Sequence, residues 1–373
     1  MSADPLNAAV ASRTPGKLDL LGMPAAQLVE LFESLGEKAY RARQVMRWLY
    51  QRQVTDFDAM TDLSAALRAQ LAEIARAELP PVLKQERSSD GTRKWLLSVG
   101  AGQAVETVYI PEPNRGTLCI SSQAGCALDC AFCATGHQGF NRNLTAAEIL
   151  GQVVLASREL QSEPLTNVVF MGMGEPLANY RNVLPVVQLL LDDLAYGLSR
   201  RRVTISTAGI VPQIEKLAED CNVALAVSLH APTDDLRDRL VPINKIHPIA
   251  ELLAACWRYA ENLASRDITF EYVLLDGVND SVAQARQLAR LLRGRPAKVN
   301  LIPFNAFPES EFRCSTPAAI DAFWRTLRDS GLIATIRRPR GDDIAAACGQ
   351  LAGRVRDRQR VRLGDRVVGA SGP

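Results

Sequence analysis

Gly125-Cys126-Ala-Leu-Asp-Cys130-Ala-Phe-Cys133-Ala-Thr-Gly-His137 is the stretch on which the reading of this chain turns. Three of its eight cysteines fall within eight residues, too close for a disulfide framework and well placed for three sulfurs to meet one soft metal centre. On the local spacing alone two centres compete. With His137 the thiols make a Cys3His zinc site, closed and structural. Without it they suit an iron–sulfur cluster.

Working outward, the loop follows a candidate strand, Thr117 to Ser121, and strand–helix units repeat after it. Further strands are expected at Val168 to Met171, Val203 to Thr207, Val223 to Leu229, Ile268 to Leu275, Lys298 to Ile302 and Leu332 to Ile336. Helix starts lie between them: a Thr145–Glu148 capping box, Pro212, Pro248 and Thr316-Pro317. Such repetition predicts a parallel sheet. Gly172-Met173-Gly174-Glu175-Pro176, Ala208-Gly209, His230, Asp276-Gly277 and Pro303-Phe304-Asn305 all follow strand ends, which favours a barrel with its chemistry at the carboxyl face. A doubly wound sheet would gather them at one or two switch points.

Upstream, residues 1–20 read as a polar arm carrying Pro5 and Pro15, and 21–80 as a small helical domain with helices over about 24–36, 39–53 and 62–77. Residues 81–116 read as a β-hairpin or linker extension, 117–350 as the core barrel, and 351–373 as a basic tail. The 373 residues are 47% hydrophobic, which excludes a disordered chain, and the net charge of +2 excludes a globally basic nucleic-acid binder. The near-neutrality has unlike parts. Residues 337–373 hold nine Arg and four Asp, a local +5 that leaves −3 for the rest. That tail, Arg200-Arg201-Arg202, and Arg41, Arg43, Arg47 and Arg52 are candidate RNA contacts, with a solvated tail the competing reading. The first 21 residues lack a secretory pattern, and no apolar run approaches the roughly 18 residues of a membrane span. A cytoplasmic, reducing setting is expected, with no membrane partner.

The x3–x2 cysteine spacing, with Phe132 before the last cysteine, resembles the signature of the radical S-adenosylmethionine (SAM) superfamily. That resemblance implies a partial (β/α)6 TIM-like barrel and one [4Fe-4S] cluster held by Cys126, Cys130 and Cys133. Its fourth iron stays open to the amino and carboxylate groups of SAM. Gly172 to Pro176 resembles the glycine-rich segment that contacts the SAM amino group. Arg340-Gly-Asp-Asp-Ile-Ala-Ala-Ala-Cys348-Gly-Gln-Leu-Ala-Gly353 is similar to the RlmN-type dual-specificity RNA methyltransferases. So are Val105 to Pro111, Cys119 to Cys126, Ser228-Leu-His230-Ala and Leu301 to Asn305. The likeness spans about residues 20–355. It departs at Phe304 and Ala306, where Trp and Pro are expected, which puts the shape of that loop in question.

The resemblance implies methylation of C2 of one adenosine in 23S rRNA, at the peptidyl-transferase centre, and of the adenosine next to the anticodon in a subset of tRNAs. Adenine C2 is too weak a nucleophile to attack SAM directly, so a radical route is needed. As implied, one SAM methylates Cys348 and a second is cleaved reductively, two per turnover. The resulting radical takes hydrogen from the methyl group, and the thio-methylene carbon adds to adenine. Cys119 then resolves the adduct through a transient disulfide with Cys348, and Glu106 accepts the proton. Gly174, Glu175, Ser206, Ser228, Leu229, His230 and Asn305 match SAM-contacting positions. An external one-electron reductant of flavodoxin type and a monomeric state are also expected. Two alternatives stay open: the sister class that methylates C8 of the same adenosine, and a zinc-stabilised RNA-binding protein without catalysis. Cys221, Cys256 and Cys314 read as core residues.

Overall fold

Leu18–Asp19 (β1) and Ala75–Arg76 (β2) pair in parallel and pin together the two ends of the helical module. The computed structural model describes residues 16–161, 163–261, 267–338 and 340–358. Most of the expected arm (1–15) and the end of the basic tail (359–373) lie outside the described residues. Between β1 and β2 run α1 (Ala25–Ser34), α2 (Tyr40–Met46) and α3 (Ala65–Ile74), close to the three helices read from apolar spacing. Helix α2 passes into a π-helical turn, Arg47–Gln51, and so buries Trp48, Leu49 and Tyr50 consecutively, which a 3.6-residue period does not foretell. The module is bonded to the rest of the chain by Gln51, which donates to the Asp193 carbonyl, and by Arg158, which donates to the Gln53 carbonyl.

After Pro80-Pro81 the alternating runs become an antiparallel meander, β3 (Val82–Arg87), β4 (Arg93–Ser98), β5 (Ala104–Glu112) and β6 (Arg115–Cys119). A small hairpin, β7 (Gln123–Gly125) and β8 (Phe140–Asn143), brackets the cysteine loop, within which α4 (Ala134–Gln138) follows Cys133. Five further strands follow as read from sequence, shifted by a residue at several ends: β9 (Asn167–Phe170), β10 (Val203–Thr207), β11 (Ala224–Ser228), β12 (Ile268–Leu274) and β13 (Ala297–Pro303). The faint pattern near 332–336 is a seventh parallel strand, β14 (Ile333–Ile336). The crossing helices are α5 (Ala146–Leu160), α6 (Tyr180–Leu191), α7 (Val211–Asp220), α8 (Asp234–Leu240), α9 (Ile249–Glu261), α10 (Val282–Leu292) and α11 (Pro317–Asp329).

One ten-stranded sheet results, in the order β14-β13-β12-β11-β10-β9-β6-β5-β4-β3, parallel from β6 to β14 and antiparallel beyond. It does not close on itself; β14 and β3 are its edges. This is the expected partial barrel, with the meander continuing its first wall. Helix starts are set by local chemistry. Thr145 Oγ1 accepts from the Glu148 amide while Glu148 Oε2 accepts from the Thr145 amide, and Pro212 and Pro317 sit in first turns, where a missing N–H costs nothing. A continuous apolar core runs from Leu28 and Phe32 of the module through Leu118, Val153, Ile205 and Phe270 of the barrel. A smaller cluster, including Leu128, Leu240, Leu275, Phe304 and Phe307, packs against the cysteine loop.

Candidate active site

The carboxyl ends of the parallel strands surround a cavity, and the chain's unusual residues collect there. Cys126, Cys130 and Cys133 line it, as do Gly174, Glu175, Ser206, Ser228, His230 and Cys348. They arrive from the cysteine loop, from the ends of β9, β10 and β11, and from the Cys348 segment, so only the fold brings them together. Gly172 and Gly174 are required by close approach. A Cβ at Gly172 would lie 2.7 Å from the Ile120 backbone, and one at Gly174 would lie 2.5 Å from Gln123 Cβ with φ at +97°. The glycine-rich loop thus presses flat against the segment leading into the cysteines.

Glu175 is buried, its Oε1 accepting from the Leu177 amide at 3.0 Å and its Oε2 from the Ala208 amide at 2.8 Å. Burial pushes its carboxyl up to about 7, against these bonds. His230 takes a left-handed φ of +59° and is 3% exposed. Its Nδ1 accepts from the Val273 amide at 3.0 Å, which assigns the proton of the neutral ring to Nε2. Burial, then the Arg237 charge, lowers its pKa to about 3, so it is neutral across the working range. Its ring meets the edge of Phe132, the aromatic between two of the cysteines, at 4.4 Å.

His137 is not with the thiols. Its Nε2 lies 3.0 Å from the Ala131 carbonyl and its ring packs against Phe307, and it does not line the cavity. The Cys3His zinc reading therefore loses its fourth ligand. Among the described residues no three ligating side chains converge as a single ion requires. Three thiols along one cavity wall can instead each take a different iron of a cluster. Burial pushes the Cys126 and Cys130 thiols up, and neighbouring thiols push them further, a cost that coordination of thiolates to a soft centre removes.

Cys348 also lines a second, smaller cavity, shared with Asn305, Arg337 and Arg340. Asn305 is thus placed at the Cys348 segment, its Nδ2 donating to the Cys348 carbonyl at 3.2 Å, and not in the main cavity. Leu229 is wholly buried and offers only backbone. Cys119, at the end of β6, is buried, and burial and then the Cys348 thiol push it up to about 12, opposed by Arg337. Burial raises Cys348 as well, and Arg337 again opposes it. Arg337 was missed by the sequence reading, where it stood only as one of nine tail arginines.

The segment that carries Cys348 is docked on the meander. Asp90 Oδ2 accepts from the Gly341 amide at 3.1 Å, Lys94 donates to the Ala345 carbonyl at 3.3 Å, and Arg354 exchanges two backbone bonds with Ala104. Glu106, which an isolated reading makes solvent-facing, is 6% exposed. It accepts from the Ala352 amide at 2.8 Å and pairs with Lys94 at 3.0 Å, and does not line either cavity. The described part of the basic tail, 351–358, is likewise docked, through Thr135, Gln138 and Asn141.

Three expectations need correction or relocation. Cys221 and Cys256 are buried as expected, but Cys314 is exposed, because the 303–316 loop runs over the surface. Arg200 to Arg202 are exposed at the amino end of β10, the end opposite the cavity. In the module Arg41 is occupied by Glu37 and the Asp62 carbonyl, whereas Arg43, Arg47 and Arg52 are exposed, Arg52 lying over the Trp48 ring.

Residues 18–77 match the family described as Ribosomal RNA large subunit methyltransferase N-terminal domain, and residues 120–289 match the Radical SAM superfamily. The chain is 56% identical over 350 residues to a Marinobacter nauticus protein named dual-specificity RNA methyltransferase RlmN, covering 92% of this chain and 95% of the relative. This chain belongs to the RlmN family. A solved radical SAM methyltransferase from Sphaerobacter thermophilus is similar throughout, with a TM-score of 0.85 and 47% identity over 90% of this chain and 99% of that one.

Membership in the RlmN family and the radical SAM superfamily implies a [4Fe-4S] cluster and SAM. The residues present fit both. The loop offers three thiols and no competing histidine, and the cavity beside them stays open. A buried carboxyl raised to about 7, with no cation among the causes of its shift, suits an ammonium group such as that of SAM. No helix among the described residues is long and apolar enough to cross a membrane.

Proposed function

We propose that this chain is a dual-specificity RNA methyltransferase. It would place a methyl group on C2 of one adenosine in 23S rRNA and on C2 of the adenosine next to the anticodon in a subset of tRNAs. One observation carries the reading: Cys348 lines the same cavity as Cys126, Cys130 and Cys133, with Cys119 near enough for the Cys348 thiol to raise it beyond what burial does. A cluster-binding loop alone would need no second pair of thiols.

When bound, the cluster and two SAM molecules per turnover supply the methyl group and the radical chemistry that adenine C2 demands. The protein's own part is positioning and proton handling. Glu175 would hold the SAM amino group, Gly174, Ser206, Ser228 and the Leu229 backbone would shape its bed, and neutral His230 would offer an Nε2–H donor. Asn305 would steady the Cys348 carbonyl rather than touch the cofactor directly. Cys348 would accept the methyl group and carry its carbon to adenine. Cys119, as its thiolate, would then attack the Cys348 sulfur to form a disulfide; the transferred carbon leaves with the electron pair of its bond to sulfur and takes up a proton to become the methyl group, and an external reductant reopens the disulfide. Glu106 would take the proton lost from the adduct. The target base has to leave its stack to reach the cavity, which suits loops of RNA over duplex. A monomer working in the cytoplasm, with the module at 18–77 helping to hold RNA, completes the reading.

The test combines product and intermediate. Cys348→Ala should abolish methylation, whereas Cys119→Ala should still form the adduct and trap RNA covalently, as a band shift that survives denaturation. Normal turnover by either variant overturns the mechanism. Nucleoside mass spectrometry should return 2-methyladenosine; 8-methyladenosine would assign the chain to the C8 chemistry instead.

A further inference from the structure

Among the described residues Arg237 on α8 is the most deeply buried charge, 0% exposed and one of the largest fully buried side chains. Its guanidinium is spent on the backbone around the cavity. Nε donates to the Leu229 carbonyl at 3.1 Å, and Nη2 donates to the Ser228 carbonyl at 2.9 Å and the Ala208 carbonyl at 2.6 Å. Nη1 donates to Asn244 Oδ1 at 2.9 Å. Three of these four acceptors lie at the carboxyl ends of β10 and β11, where the sheet ladder runs out and carbonyls lose their usual partners.

Taking a guanidinium out of water costs several kcal/mol, so this one persists only because its hydrogen bonds are nearly complete. What it secures is an irregular backbone. Gly209, next to Ala208, has φ at +112°, and His230, next to Leu229, has φ at +59°, a conformation that strains any side-chain-bearing residue. The Leu229 carbonyl held by Arg237 belongs to the peptide unit that leads into His230. The His230 carbonyl on the other side is held by Asn279 at 2.9 Å. Between these two ties the imidazole is forced against Phe132 and the cavity.

We infer that Arg237 is a positioning residue for the cofactor site, tying the carboxyl ends of β10 and β11 into their SAM-binding shape. The inference rests on the proposed cofactor assignment. Loss of one charge-assisted bond corresponds to roughly 10- to 100-fold in affinity.

The experiment uses full-length, cluster-loaded Arg237→Lys and Arg237→Met proteins that match wild type in iron and sulfide content. It measures SAM dissociation by equilibrium binding and RNA dissociation by filter retention. Expected results are SAM affinity at least about tenfold weaker in the Met variant and partly restored in the Lys variant, with RNA affinity within twofold of wild type in both. Unchanged SAM affinity in both variants would overturn the inference, as would equal losses in SAM and RNA binding. Should the Met variant fail to fold, the Lys variant alone must still show weakened SAM binding. If wild type itself binds no SAM, the cofactor assignment has failed and not the role of Arg237.

Discussion

Gly353→Ala should silence the enzyme while leaving its barrel intact. Gly353 has no left-handed φ, so the substitution brings no backbone strain; the difficulty is contact. A methyl group there would fall on the Ala104 carbonyl oxygen, well inside van der Waals distance, and 3.0 Å from Met173 Cε. Ala104 is in a sheet strand and cannot yield, so the Cys348 segment must lift from β5. Lifting breaks the two Ala104–Arg354 backbone bonds and the bond from the Ala352 amide to Glu106. At about 1 kcal/mol for each neutral bond and about 2 for the charge-assisted one, docking of the segment weakens by roughly 4 kcal/mol. That corresponds to a loss of at most several hundredfold in the docked population, reduced by the reserve that the segment's remaining bonds supply. The barrel's elements all precede this segment in sequence, so the melting temperature should move by no more than a few degrees. Methylated adenosine formed per minute, measured by nucleoside mass spectrometry, should fall at least about 30-fold. Trypsin should cut after Arg354 and Arg356 markedly faster than in wild type. Wild-type activity with unchanged protection at those arginines would refute the view that docking on the meander positions Cys348.

Two further outcomes follow from the buried charges. The Glu175 carboxyl is raised from 4.5 to about 7, so between those values the folded chain keeps a proton that the unfolded chain has released, and stability falls as pH rises. The decline, roughly 3 kcal/mol for the cofactor-free protein, should level off above about pH 7. Glu175→Gln should flatten it and weaken SAM binding, and parallel denaturation curves for variant and wild type across pH 5–8 would contradict the assignment. Glu106→Gln can still accept from the Ala352 amide, so Cys348 should be methylated at the normal rate while covalent RNA accumulates. Release of product at the wild-type rate, followed on denaturing gels, would remove Glu106 from the proton step.

The sequence was informative wherever chemistry is local. Cysteines at x3–x2 spacing, glycines at turns and the Thr145–Glu148 capping box each work within a few residues, and each appears in the structure where the sequence puts it. The alternating strands and helices likewise sufficed for a partial barrel with its unusual residues at one end. The π-turn after α2 was not legible, because it breaks the period by which helices are recognised.

Contacts between distant residues belonged to the tertiary structure alone. Glu106 and Ala352 are 246 positions apart, and no spacing rule connects them. Only the fold turns an apparently solvent-facing glutamate into the buried clamp of the Cys348 segment. Arg237 reads as one of many helix arginines until its guanidinium is found on carbonyls from two strand ends, and His137 looks like a zinc ligand until its ring is seen against Phe307. Sequence alone determined which groups the chain possesses and the scaffold that presents them, because periodicity and motif spacing are properties of neighbours. Which of those groups meet, which are deprived of water and which are held in strained conformations was decided by packing, since burial and hydrogen-bond satisfaction depend on the whole surrounding structure.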